Sequence, residues 1–290
     1  MTTKGERARV LALCVLATAF VSAASLVGIG TDDGGDPYRV TSARGQAVDI
    51  YGGQGLYRHD SVAKAIAFRG FDWVSLIICV PLSVLGAFLY RGGRLRGQLI
   101  LAAVFTYFAY IYLIGVVGNA YNDMFLVWTA VFSTGTFGLA LVLAGIDVPG
   151  LPAKLGVAFP RRGLAAYMMV LAVALLGQYL AQVVAAHAAR RPPTPLEVYT
   201  TLELAALELG VMVPLHIVGA VLLWRRNAWG YLIAIPLAFA AAMTFIALSV
   251  GQVLLYVSFG RGSAADLVQP IVFAGIASGL SFVTLQRVKA

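Results

Sequence analysis

The stretch that decides the fold is residues 76–118, LIICVPLSVLGAFLYRGGRLRGQLILAAVFTYFAYIYLIGVVG, because it recurs as residues 209–251, LGVMVPLHIVGAVLLWRRNAWGYLIAIPLAFAAAMTFIALSVG. At an offset of 133 the two align without a gap over 43 positions, of which 13 are identical. The matches include Val80-Pro81-Leu82 with Val213-Pro214-Leu215, Gly86 with Gly219, Gly97 with Gly230, and Val117-Gly118 with Val250-Gly251. A composition this biased yields roughly four or five matches by chance, so the recurrence reads as a tandem repeat. Each copy is an apolar helix carrying a proline, a short basic turn, a glycine and a second apolar helix.

The rest of the chain has the same character. Of its 290 residues 60% are hydrophobic and 12% charged, with mean hydropathy +0.85. That excludes an ordinary soluble domain, disorder, and, with only two cysteines, a disulfide scaffold. A hydrocarbon core about 30 Å thick takes about 20 apolar residues per helix. Eight stretches qualify: 10–30, 73–90, 97–118, 125–145, 163–186, 203–224, 228–256 and 267–285. The expected fold is an all-α integral membrane protein, an eight-helix bundle made of two four-helix units, residues 1–147 and 148–290, with a long loop at 31–72. Four is even, so the two units are parallel, as in the halves of some secondary transporters. Pro81, Pro214 and Pro236 are expected to kink their helices.

Lys and Arg in short loops mark the cytoplasmic side. With the N-terminus inside, 13 of the 21 basic residues fall in cytoplasmic segments, while Glu6 and Asp147 are the acids there. The expected topology is N-in and C-in, in a bacterial cytoplasmic membrane. The net charge of +8 then reflects topology and attraction to membrane lipids and calls for no nucleic acid. A cleaved signal ending near Val21-Ser22-Ala23 is the competing reading of the first helix.

Ionisable groups inside spans are expensive, at least about 2.5–3.5 kcal/mol on insertion scales, and so are candidates for function. Glu208 falls five residues inside the sixth span. His216 lies two turns deeper and, on a regular helix, about 80° around the axis. Their counterparts in the first copy are Ser75 and Ser83. Gln178, Gln182, Gln252 and Glu203 fall at depths similar to Glu208, with Asn119, Asp72 and Asp123 continuing the set along the outer rim. Glu208, Gln178, Gln182, Gln252, Glu203 and His216 are therefore the expected ligand-binding residues of a polar cavity open to the outside. The plainer alternative makes Glu208 a hydrogen-bonded packing residue. Within the loop, Asp60 or Ser61 can cap a short helix whose Val62, Ile66 and Ala67 would rest on the membrane surface over the mouth. The Gly/Asp-rich start of the loop is expected to be mobile, and Gly34-Gly35 and Gly52-Gly53 to form turns.

Other chemistries lack their residues. His59, His187 and His216 have no metal-ligand spacing, no phosphate-binding or dinucleotide motif is present, and Cys14 and Cys79 are placed near opposite faces. With the spans drawn as above no lysine falls within one, and no cofactor is expected. The aromatic residues around the third span, Phe105, Tyr107, Phe108, Tyr110 and Tyr112, read as packing.

The segments YGGQGLYRHDS, RGFDWVSL and NAYNDMFLVWTAVFS, within residues 46–147, resemble a group of uncharacterised bacterial multi-pass membrane proteins. That likeness implies a bacterial membrane setting and no activity. Three functions stay open: binding or transport of a small solute or lipid, an enzyme acting on a lipid through Glu208, and a non-catalytic subunit of a larger complex with unknown protein partners.

Overall fold

The computed structural model describes residues 4–289. Helix α1 (Lys4–Gly30) leads into an antiparallel hairpin of β1 (Tyr38–Thr41) and β2 (Ala47–Ile50), with Tyr38 opposite Ile50. There follow α2 (Val62–Val74), α3 (Val80–Arg91), α4 (Leu95–Gly118), α5 (Phe125–Ala144), α6 (Arg161–Ala188), α7 (Glu203–Leu207), α8 (Val213–Trp224), α9 (Ala228–Phe259) and α10 (Ala264–Arg287). One π-turn, Ser75–Cys79, joins α2 to α3, and another, Glu208–Met212, joins α7 to α8, so that each pair forms one continuous helix. Among the described residues eight helices are long and apolar enough to cross a membrane. The chain is built as a multi-pass membrane protein.

The same local geometry appears twice, 133 residues apart. Val80 N–H bonds to Ser75 O and Val213 N–H to Glu208 O, the i to i+5 pattern of a π-turn. Each turn immediately precedes a proline, Pro81 or Pro214, whose ring crowds the preceding turn and whose nitrogen donates no hydrogen bond. The helix widens by one residue there and carries on without a break. Helices α9 and α10 likewise run unbroken through Pro236 and Pro270 respectively. Gly97 abuts the backbone of Leu89 and Tyr90, and Gly230 abuts that of Leu222 and Leu223, so each two-helix hairpin closes on a glycine where a Cβ would collide with backbone. Gly118 lies against Glu203; at the aligned positions Gly251 lies against Gly70, whose Cβ, if present, would stand 2.7 Å from Gly251 N.

The second spanning helix starts at Val62, eleven residues before position 73, where hydropathy alone would begin it. Residues 62–72 therefore form the end of a spanning helix and do not lie on the membrane surface. Ser61 caps it, its Oγ accepting from Lys64 N at 3.3 Å. Val62 and Ile66 are buried, and Gly70 packs on α9. Hydropathy misses this extension because of its charges, and each of those is satisfied from far away in sequence: Lys64 by Glu203, Arg69 by Asp32, and Asp72 by the hydroxyl of Tyr57 at 2.6 Å. A lysine thus does sit within a spanning helix.

The thiols also depart from expectation. Cys14 Sγ donates to Ser83 O at 3.7 Å, and Ser83 Oγ to Cys79 O at 2.8 Å. Both cysteines are buried, free and about a helical turn apart, not near opposite faces. Helix α1 passes unbroken through residues 21–23, with Val10, Ala17, Val21 and Ala24 fully buried against its neighbours.

The loops gather at two ends. At the basic end, Arg7 bonds to Arg91 O, Arg161 to Leu223 O, and Arg96 to Val288 O. At the hairpin end, Gly34, Gly35, Gly52 and Gly53 adopt positive φ, which glycine takes at no steric cost. There Arg44 donates to the carbonyls of Tyr199 (3.1 Å) and Thr200 (3.0 Å), Gln46 to that of Pro193 (3.3 Å), and Arg261 pairs with Asp49 at 2.6 Å.

Candidate functional site

A cavity of about 490 Å³ lies among α2, α4, α6, α7–α8, α9 and α10. Its origin is visible by comparing the aligned segments 76–118 and 209–251. The α4 face Tyr107, Phe108, Ile111 is buried in a core of aromatic rings, where Phe68 stacks on Trp128 at 5.6 Å and Tyr57 and Tyr112 pack on the same indole. The aligned α9 positions are Ala240, Ala241 and Thr244, and all three line the cavity. Three large side chains give way to three small ones, which leaves space on that side. On α6 and α10 the two helices meet near the basic end, where Gly163 lies against Leu280 and the rings of Tyr167 and Phe273 pack at 6.1 Å. Further along, Gln178 and Gln182 of α6 and Gln269 of α10 line the cavity.

All six residues singled out from sequence, Gln178, Gln182, Glu203, Glu208, His216 and Gln252, are in this one wall. Glu208 is only 8% exposed; the hydroxyl of Tyr110 donates to its Oε1, and its Oε2 has no partner. His216 is 2% exposed, with Nδ1 at 2.7 Å from Met212 O. A carbonyl only accepts, so Nδ1 carries the proton and Nε2 is left as an acceptor, again without a partner. The 80° offset expected between these two residues is corrected by the π-turn between them. One inserted residue makes eight positions behave as seven, about 700° of rotation, which returns His216 to within roughly 20° of Glu208 and about 10 Å deeper. Both side chains end up on the cavity face.

At the hairpin end the wall is charged. Glu203 pairs with Lys64, whose ammonium also donates to Gly118 O at 2.6 Å and sits 3.4 Å from the centroid of the Tyr199 ring. Glu197, another wall residue, bonds to Ser61, and burial pushes its carboxyl up. Just outside, buried Asp60 accepts from Ala120 N at 2.8 Å and from the Tyr199 hydroxyl at 2.9 Å. Desolvation raises its carboxyl to about 6 in spite of those bonds.

The rim set is narrower than the sequence suggests. Asn119 joins the Asp60 cluster, Asp123 pairs with Arg58 at the surface, and Asp72 is held by Tyr57, so none of the three is a wall residue. Two participants were missed. Tyr110 sits in an all-round aromatic helix where nothing marks which hydroxyl finds a carboxylate, and Lys64 fell outside the drawn span. The size contrast between Tyr107, Phe108 and Ile111 and their aligned Ala240, Ala241 and Thr244 was the available signal for the space itself.

None of the residues in the loops 92–94, 145–160 or 225–227 reaches the wall, whereas Pro195, Glu197 and Leu202 of the hairpin-end loop do. From Glu203 to His216 it extends about 18 Å at 1.5 Å per residue, roughly half a membrane. Among the described residues no three His, Cys, Asp or Glu side chains converge as metal ligands. What the wall offers is two buried acceptors in apolar surroundings, with amides and one ion pair toward the hairpin end. Comparison with protein families, curated proteins and solved structures returns no match.

Proposed function

We propose that this protein binds an amphiphilic small molecule, solute or lipid, in the cavity between its helices, with Glu208 and Tyr110 as the polar anchor, as the outward-open state of a transport or transfer cycle. The observation that carries this is a buried carboxylate with one oxygen unpartnered, in the wall of a space of about 490 Å³ that is otherwise largely apolar. That size suits a ligand of drug or lipid-chain dimensions. A buried acid without a full set of partners is costly as mere packing, since it forfeits desolvation energy that a ligand would offset. The orientation belongs to the same proposal: the basic end faces the cytoplasm of a bacterial cell and the hairpin end faces out, in keeping with the bias in Lys and Arg. So does the tandem parallel repeat of residues 1–147 and 148–290, supported by the paired π-turns and the paired glycine contacts.

The test is photolabelling of the purified protein in nanodiscs with an uncharged alkyl diazirine, followed by peptide mapping. Label is expected on residues 171–182 of α6 and 240–252 of α9. It should be suppressed by the double substitution Ala240→Tyr and Ala241→Phe, which installs the rings present at the aligned positions. Equal labelling of the variant, or label spread evenly over lipid-facing surfaces such as Val15 and Phe282, would refute the reading.

A lipid-modifying enzyme using Glu208 as general acid or base is the second reading, favoured by the placing of that carboxyl in a largely apolar cavity. It predicts a change of lipid mass in proteoliposomes that is lost in Glu208→Gln, whereas binding and transfer leave the ligand unchanged.

A further inference from the structure

The charge and hydrogen-bonding sense of the cavity narrow what it takes. Its wall holds four carboxylates, Glu197, Glu203, Glu208 and Asp266, against one cation, Lys64. Lys64 is already engaged by Glu203, the Gly118 carbonyl and the Tyr199 ring, and no arginine is in the wall. Asp266 is committed to the capping box of α10 and Glu197 to Ser61, which leaves Glu208 as the wall carboxylate with a buried oxygen that has no partner. Among the described wall residues the buried polar atoms without partners are Glu208 Oε2 and His216 Nε2, and both are acceptors. A phosphate, sulfate or carboxylate ligand would meet like charge and supply no donor to either. A protonated amine meets opposite charge and supplies several N–H groups. The wall also holds Tyr110, Leu171, Leu175, Tyr179 and Phe245, aromatic and aliphatic surfaces which suit a hydrocarbon body and the face-on approach of a cation to a ring.

We infer that the ligand class is an amphiphilic amine: a protonated primary or secondary ammonium held at Glu208 Oε2, with an alkyl or aryl body along the apolar wall toward His216. This rests on the reading that the cavity is a ligand site. The ammonium has two sources, a free lipophilic amine or the headgroup of phosphatidylethanolamine.

The experiment is competition against the alkyl diazirine label, with dodecylammonium, dodecanol and dodecyl sulfate as competitors of equal chain length in maltoside micelles. A charged hydrogen bond in a buried site corresponds to about 10- to 100-fold in affinity, so dodecylammonium should compete at least about tenfold better than dodecanol, with dodecyl sulfate weakest. Glu208→Gln should reduce that preference to near unity, and Glu208→Asp, which keeps the charge, should retain part of it; both are checked for an unchanged thermal midpoint. Equal competition by dodecanol and dodecylammonium, or an undiminished preference in Glu208→Gln, overturns the amine assignment while leaving the cavity reading intact. Label that is not confined to the cavity overturns the cavity reading itself. If the preference stands, the source is read from nanodiscs: loss of label in phosphatidylethanolamine relative to phosphatidylglycerol identifies the headgroup, and equal label identifies a free amine.

Discussion

Replacing Lys64 with Met isolates the ion pair that ties α2 to α7. The two side chains are 16% and 11% exposed, so solvent does little to relieve either charge when it is alone. At an effective dielectric near 20 and a separation of about 3 Å the gross attraction is about 5 kcal/mol, much of it offset by desolvation of both ions. Removing one partner from a buried pair costs about 3–5 kcal/mol. The Lys64–Glu203 pair lies toward the mouth of the cavity, and Lys64→Met also strips the Gly118 carbonyl of its donor, so we expect about 3 kcal/mol. Glu203→Gln should cost less, about 1–2 kcal/mol, since Lys64 keeps the carbonyl and the Tyr199 ring. The double variant Lys64→Met with Glu203→Leu leaves neither charge stranded and should return to within about 1 kcal/mol of the native protein. The assay is reversible unfolding in mixed micelles, run as a double-mutant cycle. If Lys64→Met is as stable as the native protein, or if the two single losses simply add in the double variant, the pair is not the tie described.

Three further outcomes are expected. Gly97→Val and Gly230→Val should each cost more than about 3 kcal/mol or abolish folded expression, because the new side chain meets backbone that cannot yield, while Gly275→Ala, with open space around it, should cost nothing measurable in thermal stability. Asp60 is raised to about 6 in the folded protein, so its protonated form is the one the fold favours. Its contribution is therefore fully present below about pH 4 and is lost as pH rises through 6, by at most about 3 kcal/mol, and Asp60→Asn should flatten that part of a stability–pH profile. Arg44→Ala removes two charge-assisted bonds to loop carbonyls and should increase amide hydrogen exchange in residues 38–50 severalfold, with no change in exchange within α4.

The spans were legible because hydropathy summed over about 20 residues is insensitive to detail, and the apolar windows of α4 and α9 admit no other reading. The start of α2 was not, since Lys64, Arg69 and Asp72 look like loop residues until their partners, Glu203, Asp32 and Tyr57, are brought to them by the fold. The depths of Glu208 and the three glutamines could be counted along the helix, and all six proposed residues reach one wall. Their facing could not be counted, because a π-turn is a backbone response to Pro214 that resets the angle of everything beyond it. The β-hairpin escaped for a different reason: its two four-residue strands are held by Tyr199, Thr200 and Arg261, none of them near in sequence.

Those hairpin contacts also bear on how the molecule is made. Asp49 is 212 residues from Arg261, and Arg44 is 155 from Tyr199. At a synthesis rate of roughly 5–20 residues per second, the second helix is long inserted while the hairpin waits on the order of 10–40 s for its last partner to emerge. Until those partners emerge Arg44 and Gln46 have only water and headgroups to bond with, and Asp49 has only Arg39 of the same hairpin. Assembly of this end of the protein is thus a late, post-insertion event, and a chain truncated before Pro193 would carry its early helices under an unlatched hairpin.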